Sequence, residues 1–245
     1  GGVVATELGL AMARRGHEVH FISYAQPFRL GGFQERVFYH AVEMEDYPLF
    51  EHPPYSLALA VALHDAIETH DLQLLHVHYA IPHATSALLA RQMTPDQHMP
   101  KIITTLHGTD ITLVGQHPSF KRITRWSILE SDAITAVSSF LRDRTEEDFG
   151  IPASRVNVIP NFIDTELFRR DREPCFRSTL APSGEKILMH VSNFRPVKRV
   201  VDVIEVFHRV FRRGENWREL TPRLVGGGFL VADEATLERI LEMED

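Results

Sequence analysis

Residues 101–110 read KIITTLHGTD, and this stretch decides the fold. Ile102, Ile103, Thr104 and Thr105 form a β-branched run suited to a buried strand. The strand runs directly into His107, Gly108, Thr109 and Asp110. Where a strand of an open α/β sheet ends, its last side chains face the crevice in which ligands bind. A histidine among small and hydroxylated neighbours at such a place is a candidate for work on a polar substrate. Two further polar strand ends follow the same pattern, LHVHYAIPH at 75–83 and HVSNFRPVKR at 190–199.

Outward from this strand, helical and extended periods alternate. Val4, Leu8, Ala11 and Met12 recur at helical spacing and Gly16 stops the helix. Strands are expected at 18–23, 37–42, 74–79, 101–106, 133–137 and 156–159. Helices are expected at 57–70, 82–93, 120–130 and 139–148, with Ser138 as an N-cap. Strands alternating with helices of this length give an α/β fold, a doubly wound parallel sheet. The period lapses between Pro160 and Gly184, a linker signature. A second βα unit then starts, with a strand at 186–192, a helix at 200–213, a weak strand at 223–225 and a charged helix at 233–243. The organisation expected is a Rossmann-like domain over 1–165, a linker over 166–184 and the start of a truncated second domain over 185–245.

Bulk composition narrows the function classes. Hydrophobic residues make up 44% and charged residues 24% of 245, as in ordinary globular domains. A net charge of -7 argues against a nucleic-acid binder held by phosphates. The single cysteine, Cys175, excludes an internal disulfide and suits a reducing, cytoplasmic setting. No apolar run approaches the roughly 20 residues needed to span a bilayer. Small-molecule substrates are expected, with neither nucleic acid nor membrane as partner.

Three local features bear on chemistry. Gly1-Gly2 opens a helix, and paired glycines there can serve close packing or present helix-terminal N–H groups to an anion. A dinucleotide site would also need an acid at the end of the next strand, which instead ends Ile22-Ser23-Tyr24-Ala25. His76, His78 and His83, with His107 near, invite a metal reading. No carboxylate stands in that segment, so no metal is expected and each histidine reads as structural. In SNFRPVKR, Arg195, Lys198 and Arg199 crowd a helix start, where the macrodipole disfavours cations. Such crowding suits a bound anion such as a diphosphate, or else a solvated basic turn.

In one order, GGVVATELGLAMARRGHEVHFIS, PFRL, PPYSLALA, HVHYAIPHA, TTLHGTDIT, TAVSSFL, NFID and HVSNFRPVKR resemble the GT-B retaining glycosyltransferases of family 4. The match runs from residue 1 to about 213. The resemblance implies two Rossmann-like domains facing a cleft, the acceptor on the first and the nucleotide sugar on the second. It implies transfer of N-acetylglucosamine from UDP-GlcNAc to L-malate, with no cofactor and no metal. Gly1 and Gly2 then fall on the loop lining the cleft, with Asn161 beside the donor. Tyr79 and Thr105 fall at strand ends facing acceptor carboxylates, with Arg125 on the following helix as a further candidate. His107 falls against the transferred sugar, and Arg195 and Lys198 fall on the clamp for the donor diphosphate, acting in catalysis by stabilising the leaving group.

Departures from the family pattern lie late in the chain. Leu224-Val225-Gly226-Gly227-Gly228-Phe229 half resembles the family's Val-Gly-Asp-Gly-Pro segment, and Glu234, Glu238 and Glu242 repeat every four residues instead of forming Glu-x7-Glu. The chain is therefore expected to be an inactive fragment, lacking the strand before Gly1 and most of the donor domain. The apolar face of Val200, Val203, Ile204, Phe207, Val210 and Phe211 would then favour self-association into a homo-oligomer. Two alternatives stay open, a family 4 transferase with another donor or acceptor and a non-catalytic acceptor-binding module.

Overall fold

Helix α1 (Gly2–Arg14) buries the small residues Thr6, Gly9 and Ala13. That stripe lets it lie close to strand β1 (Val19–Ser23): a methyl group at Gly9 would run into the Phe21 ring and stand 3.1 Å from Val19 Cγ1. Gly16, at φ 93°, takes the left-handed conformation that ends the helix, as its sequence position suggests. The computed structural model describes residues 1–44, 52–169, 177–180, 182, 186–188, 190, 198–213, 220–222, 224–226 and 229–231. It divides into two units, Gly1–Ile163 and Asp164–Asp245.

In the first unit β1 pairs in parallel with β2 (Val37–Ala41). Helix α2 (Tyr55–His70) starts two residues earlier than its periodicity suggests, directly after Pro53-Pro54. Strands β3 (Leu74–His78), β4 (Lys101–Leu106), β5 (Ala133–Ala136) and β6 (Val156–Val158) form a parallel sheet in that order. Between them run α3 (Thr85–Met93), the short α4 (Thr109–Thr112), α5 (Pro118–Leu129) and α6 (Ser139–Phe149). Ser138 Oγ accepts from the Leu141 N–H at 3.2 Å, which is the expected N-cap. The segment after β3 reads in sequence as plain α-helix from Pro82. It opens instead with a kinked turn, Ala80–Ala84, in which Ile81 is extended at φ -129° and ψ 140°.

The two faces of the four-stranded sheet differ in chemistry. On one, Leu75, Val77 and Ile102 meet Leu59, Leu63 and Ile67 of α2 and Ala87, Leu88 and Ala90 of α3. Farther along that face, Leu106, Ile134, Ala136 and Val156 meet Ile111, Ile128, Leu141 and Phe149. Strand alternation puts His76, His78, Thr105 and Thr135 on the other face. The apolar face supplies the burial energy and leaves the opposite face free to be polar.

The second unit contains α7 (Arg177–Leu180), β7 (Lys186–Leu188) and α8 (Val200–Arg213). Strand β7 pairs in parallel with β8 (Leu220–Pro222). The weak strand expected at 223–225 is β9 (Leu224–Gly226), paired antiparallel with β10 (Phe229–Val231). On α8, Ile204 is buried and Val200 and Val203 are half-buried. The side chains of Phe207, Val210 and Phe211, and the helix expected at 233–243, lie outside the described residues. No helix among the described residues is long and apolar enough to cross a membrane.

The seat of α1 is testable at Gly9. Gly9→Ala should lower stability by about 2 kcal/mol through overpacking, outweighing the ~1 kcal/mol by which Ala favours a helix. An unchanged urea midpoint would show that α1 does not rest on β1 at this point.

Candidate active site

Strand β4 ends at Leu106, and the chain turns at Gly108, whose φ of 122° and ψ of -61° only glycine adopts readily. That turn delivers Asp110 into the interior, where it is 2% exposed. One carboxylate oxygen, Oδ1, accepts the N–H of Gly108 at 2.9 Å and that of His107 at 3.2 Å. The other, Oδ2, accepts the N–H of Ala80 at 3.0 Å. Burial pushes the carboxyl upward, and the backbone N–H groups it accepts from pull it back. One side chain thereby ties the end of β4 to the turn after β3. Gly115 closes the cage, because a methyl group there would run into the Asp110 carbonyl and stand 3.1 Å from Phe149 Cζ.

Tyr79 stands at the hinge this creates. Its φ of 81° and ψ of 135° lie in territory that costs a non-glycine residue about 1–3 kcal/mol. The neighbouring Ala80 N–H is held by Asp110, and Tyr79's own N–H donates to the Thr105 carbonyl at 2.9 Å. Its ring lies against Gly1, where a side chain would fall 2.7 Å from the phenol oxygen. The same ring sits 4.9 Å from that of His107.

Imidazoles fill the rest of the polar face. His78 Nδ1 and His107 Nε2 share a hydrogen bond of 2.8 Å, and His76 stacks on His78 with ring centres 4.7 Å apart. His83 Nδ1 donates to the His78 carbonyl at 2.6 Å. Burial first, then the neighbouring His76, His107 and His83, push His78 down to about 3. Burial, with His76 beside it, pushes His107 to about 4. Both rings are therefore neutral at pH 7 and act as hydrogen-bonding groups. Neither is a standing cation for an anionic ligand.

The structure gathers Gly1, Tyr79, Thr105 and His107 at one end of the sheet, with Gly2 as the first residue of α1. Thr105 is buried, and its hydroxyl contacts His76 Nε2 at 2.8 Å and Thr135 Oγ1 at 2.7 Å. It keeps a proton for a ligand only when both partners donate to it. Arg125 is occupied elsewhere, its Nε donating to the Phe149 carbonyl at 2.8 Å, where it caps α6. Asn161 is exposed beyond β6, within the first unit. In the second unit Lys198 is exposed, Arg199 pairs with Asp202 in the first turn of α8, and Arg195 lies outside the described residues. The Asp202 partner accounts locally for one of the three cations that crowd this helix start.

Sequence reasoning passed over Asp110. The available signal was only an acid two residues beyond a glycine at a strand end, and the Ala80 N–H it also accepts lies 30 residues away.

The family model for Glycosyltransferase Family 4 matches residues 1–167. Over 210 residues, 85% of this chain, the sequence is 45% identical to the N-acetyl-alpha-D-glucosaminyl L-malate synthase of Bacillus anthracis. The matched region is 54% of that relative, so the chain spans about half its length. An uncharacterised glycosyltransferase of Methanocaldococcus jannaschii is 28% identical over 102 residues, 41% of this chain and 27% of that protein. A glycosyltransferase structure from Rickettsia africae superposes with a TM-score of 0.65 at 19% identity, covering 99% of this chain and 60% of that one. That likeness shows the fold, a Rossmann-like α/β architecture of the GT-B type.

Neutral buried histidines make the fold acid-sensitive. His78 has its folded-state value lowered from 6.5 to about 3, so the unfolded chain takes up the proton first. The stability this confers is complete above about pH 6.5 and is lost as pH falls toward 3. Between about pH 7 and pH 5 this one ring should remove about 2 kcal/mol, and His78→Gln should flatten that slope. Parallel urea-stability profiles of the two proteins would contradict the burial of a neutral His78.

Proposed function

The chain belongs to glycosyltransferase family 4, and from that premise we propose that the whole protein transfers N-acetylglucosamine from UDP-GlcNAc to the hydroxyl of L-malate. Configuration is retained, and the product opens bacillithiol synthesis. The observation that carries this reading is the 45% identity, over 85% of the chain, to a relative named for that product.

In this reaction the malate oxygen bonds to C1 of the sugar from the face that the diphosphate leaves. The C1–O bond to phosphate breaks, and the proton of the malate hydroxyl passes to the departing diphosphate oxygen. No protein base is required. Charge builds on the diphosphate, so Arg195 and Lys198 contribute most by stabilising it there. Asn161 and the Gly1-Gly2 turn border the donor. His107, neutral at pH 7, offers or accepts one hydrogen bond at the transferred sugar. Tyr79 and Thr105 meet the acceptor carboxylates, with Arg125 reaching them only if it leaves the Phe149 carbonyl. The scheme uses no metal.

In the whole protein, Lys198→Ala should cost about 2 kcal/mol in kcat/KM for UDP-GlcNAc, the worth of one charge-assisted contact. Unchanged kinetics would remove Lys198 from the donor site. Calorimetry should show L-malate binding and lactate failing at the same concentration. Equal affinity for both acids would mean another acceptor.

A further inference from the structure

Among the described residues, His20, His40 and His70 form the single group of three metal-capable side chains whose ligand atoms all lie within 4.8 Å of one another. They come from three elements. His20 is on β1, His40 on β2 and His70 is the last residue of α2. The parallel register pairs His20 with Phe38 and Ile22 with His40, which sets His20 and His40 diagonally on one face. Ile22 packs into the core beneath α2, so this face is the one α2 covers. The ring centres of His20 and His70 are 4.3 Å apart and those of His40 and His70 are 5.2 Å apart.

From this convergence we infer a transition-metal site, with three imidazoles holding one divalent ion such as Zn2+ and water completing the coordination. Glu18 Oε1 lies 2.9 Å from His20 Nε2, and a carboxylate there accepts the Nε2–H and leaves the Nδ1 lone pair free. That lone pair faces His40 Nε2 at 2.8 Å, and the Phe38 ring stacked 4.8 Å away fixes the plane of His20. Two nitrogens on a tetrahedral zinc stand about 3.3 Å apart, given Zn–N bonds of about 2.0–2.1 Å. Uptake therefore asks the His20 and His40 rings to part by about half an ångström, the ion replacing the proton they share, and the farthest ligand pair, within 4.8 Å, to close by up to about 1.5 Å.

Two features favour a cation at this place. His70 is the last residue of α2, at the negative end of the helix dipole. The site is also open on one side, since the His20 side chain is buried while His70 is exposed and gives an ion a way in. An all-imidazole set selects zinc, copper, nickel or cobalt over magnesium and calcium, which take oxygen ligands. Bound metal would tie the β1–β2 pair to the end of α2.

The test uses the 245-residue chain freed of metal by a chelator. Co2+ titration should produce the visible d–d bands of a low-coordinate nitrogen site and saturate at a single equivalent. Zn2+ should displace it and raise the thermal midpoint. His40→Ala and His70→Gln should each weaken binding at least about tenfold. His52→Gln, an exposed histidine outside the cluster, should leave binding as it was. His70 ends a helix at the surface, so circular dichroism of His70→Gln should match the parent. Binding retained at full strength in His70→Gln would place the ion elsewhere and overturn the assignment. Failure of the folded parent chain to take up either metal would overturn it equally.

Discussion

A single carboxylate accepts three backbone N–H groups in the interior of the first unit, and the arrangement around it depends on that bond set. Asp110 holds His107 and Gly108 with one oxygen and Ala80 with the other. Burying a charge is unfavourable unless donors replace its water, and here all the replacements come from backbone. The Ala80 N–H is likewise buried, and those of His107 and Gly108 belong to half-buried residues. Carboxylate and donors therefore enforce each other. Two strand ends that are neighbours in the sheet, β3 and β4, are fixed relative to each other beyond the reach of their ladder.

That constraint explains the strained backbone of Tyr79. A φ of 81° at a tyrosine persists only where the flanking peptide groups are held from outside. Asp110 holds one flank, and the Thr105 carbonyl holds the other. The result presses the Tyr79 ring between the start of α1 and His107. His107 in turn faces His78, and the pair stay neutral because burial, the largest influence, and the neighbouring imidazoles push both downward. The end of the sheet is thus rich in hydrogen-bonding groups and poor in fixed charge. Such a surface suits the hydroxyls of a sugar. In the proposed transfer, the positive charge for the diphosphate comes from the second unit.

Much of the fold was legible because it rests on local period. Strand β4 occupies the stretch that its β-branched run marks, and Ser138 caps α6 as its position before an apolar helix implied. The turn after β3 was not legible. Pro82 reads as a helix start, whereas the chain kinks at Ile81, and the Ala80 N–H beside that kink is held by Asp110, which lies 30 residues away. Arg125 shows the limit from the other side. An arginine on a helix after a polar strand looks available to substrate, yet the carbonyl that occupies it is 24 residues on. His20, His40 and His70 lie too far apart in sequence to form a motif, and only strand register and the length of α2 bring them together.

Asp110 is the joint between the two strand ends, and everything at that end of the sheet hangs on it. The substitution Asp110→Asn keeps the shape of the side chain but turns an N–H2 toward one of the backbone donors that the carboxylate now accepts from. Amide hydrogen exchange in this variant measures the joint directly. The N–H groups of Ala80, His107 and Gly108 should exchange at least about tenfold faster, while those of Ile102 and Ile134 in the strands change little. Unaltered protection at Ala80, His107 and Gly108 in the folded variant would contradict the claim that this carboxylate holds the site together.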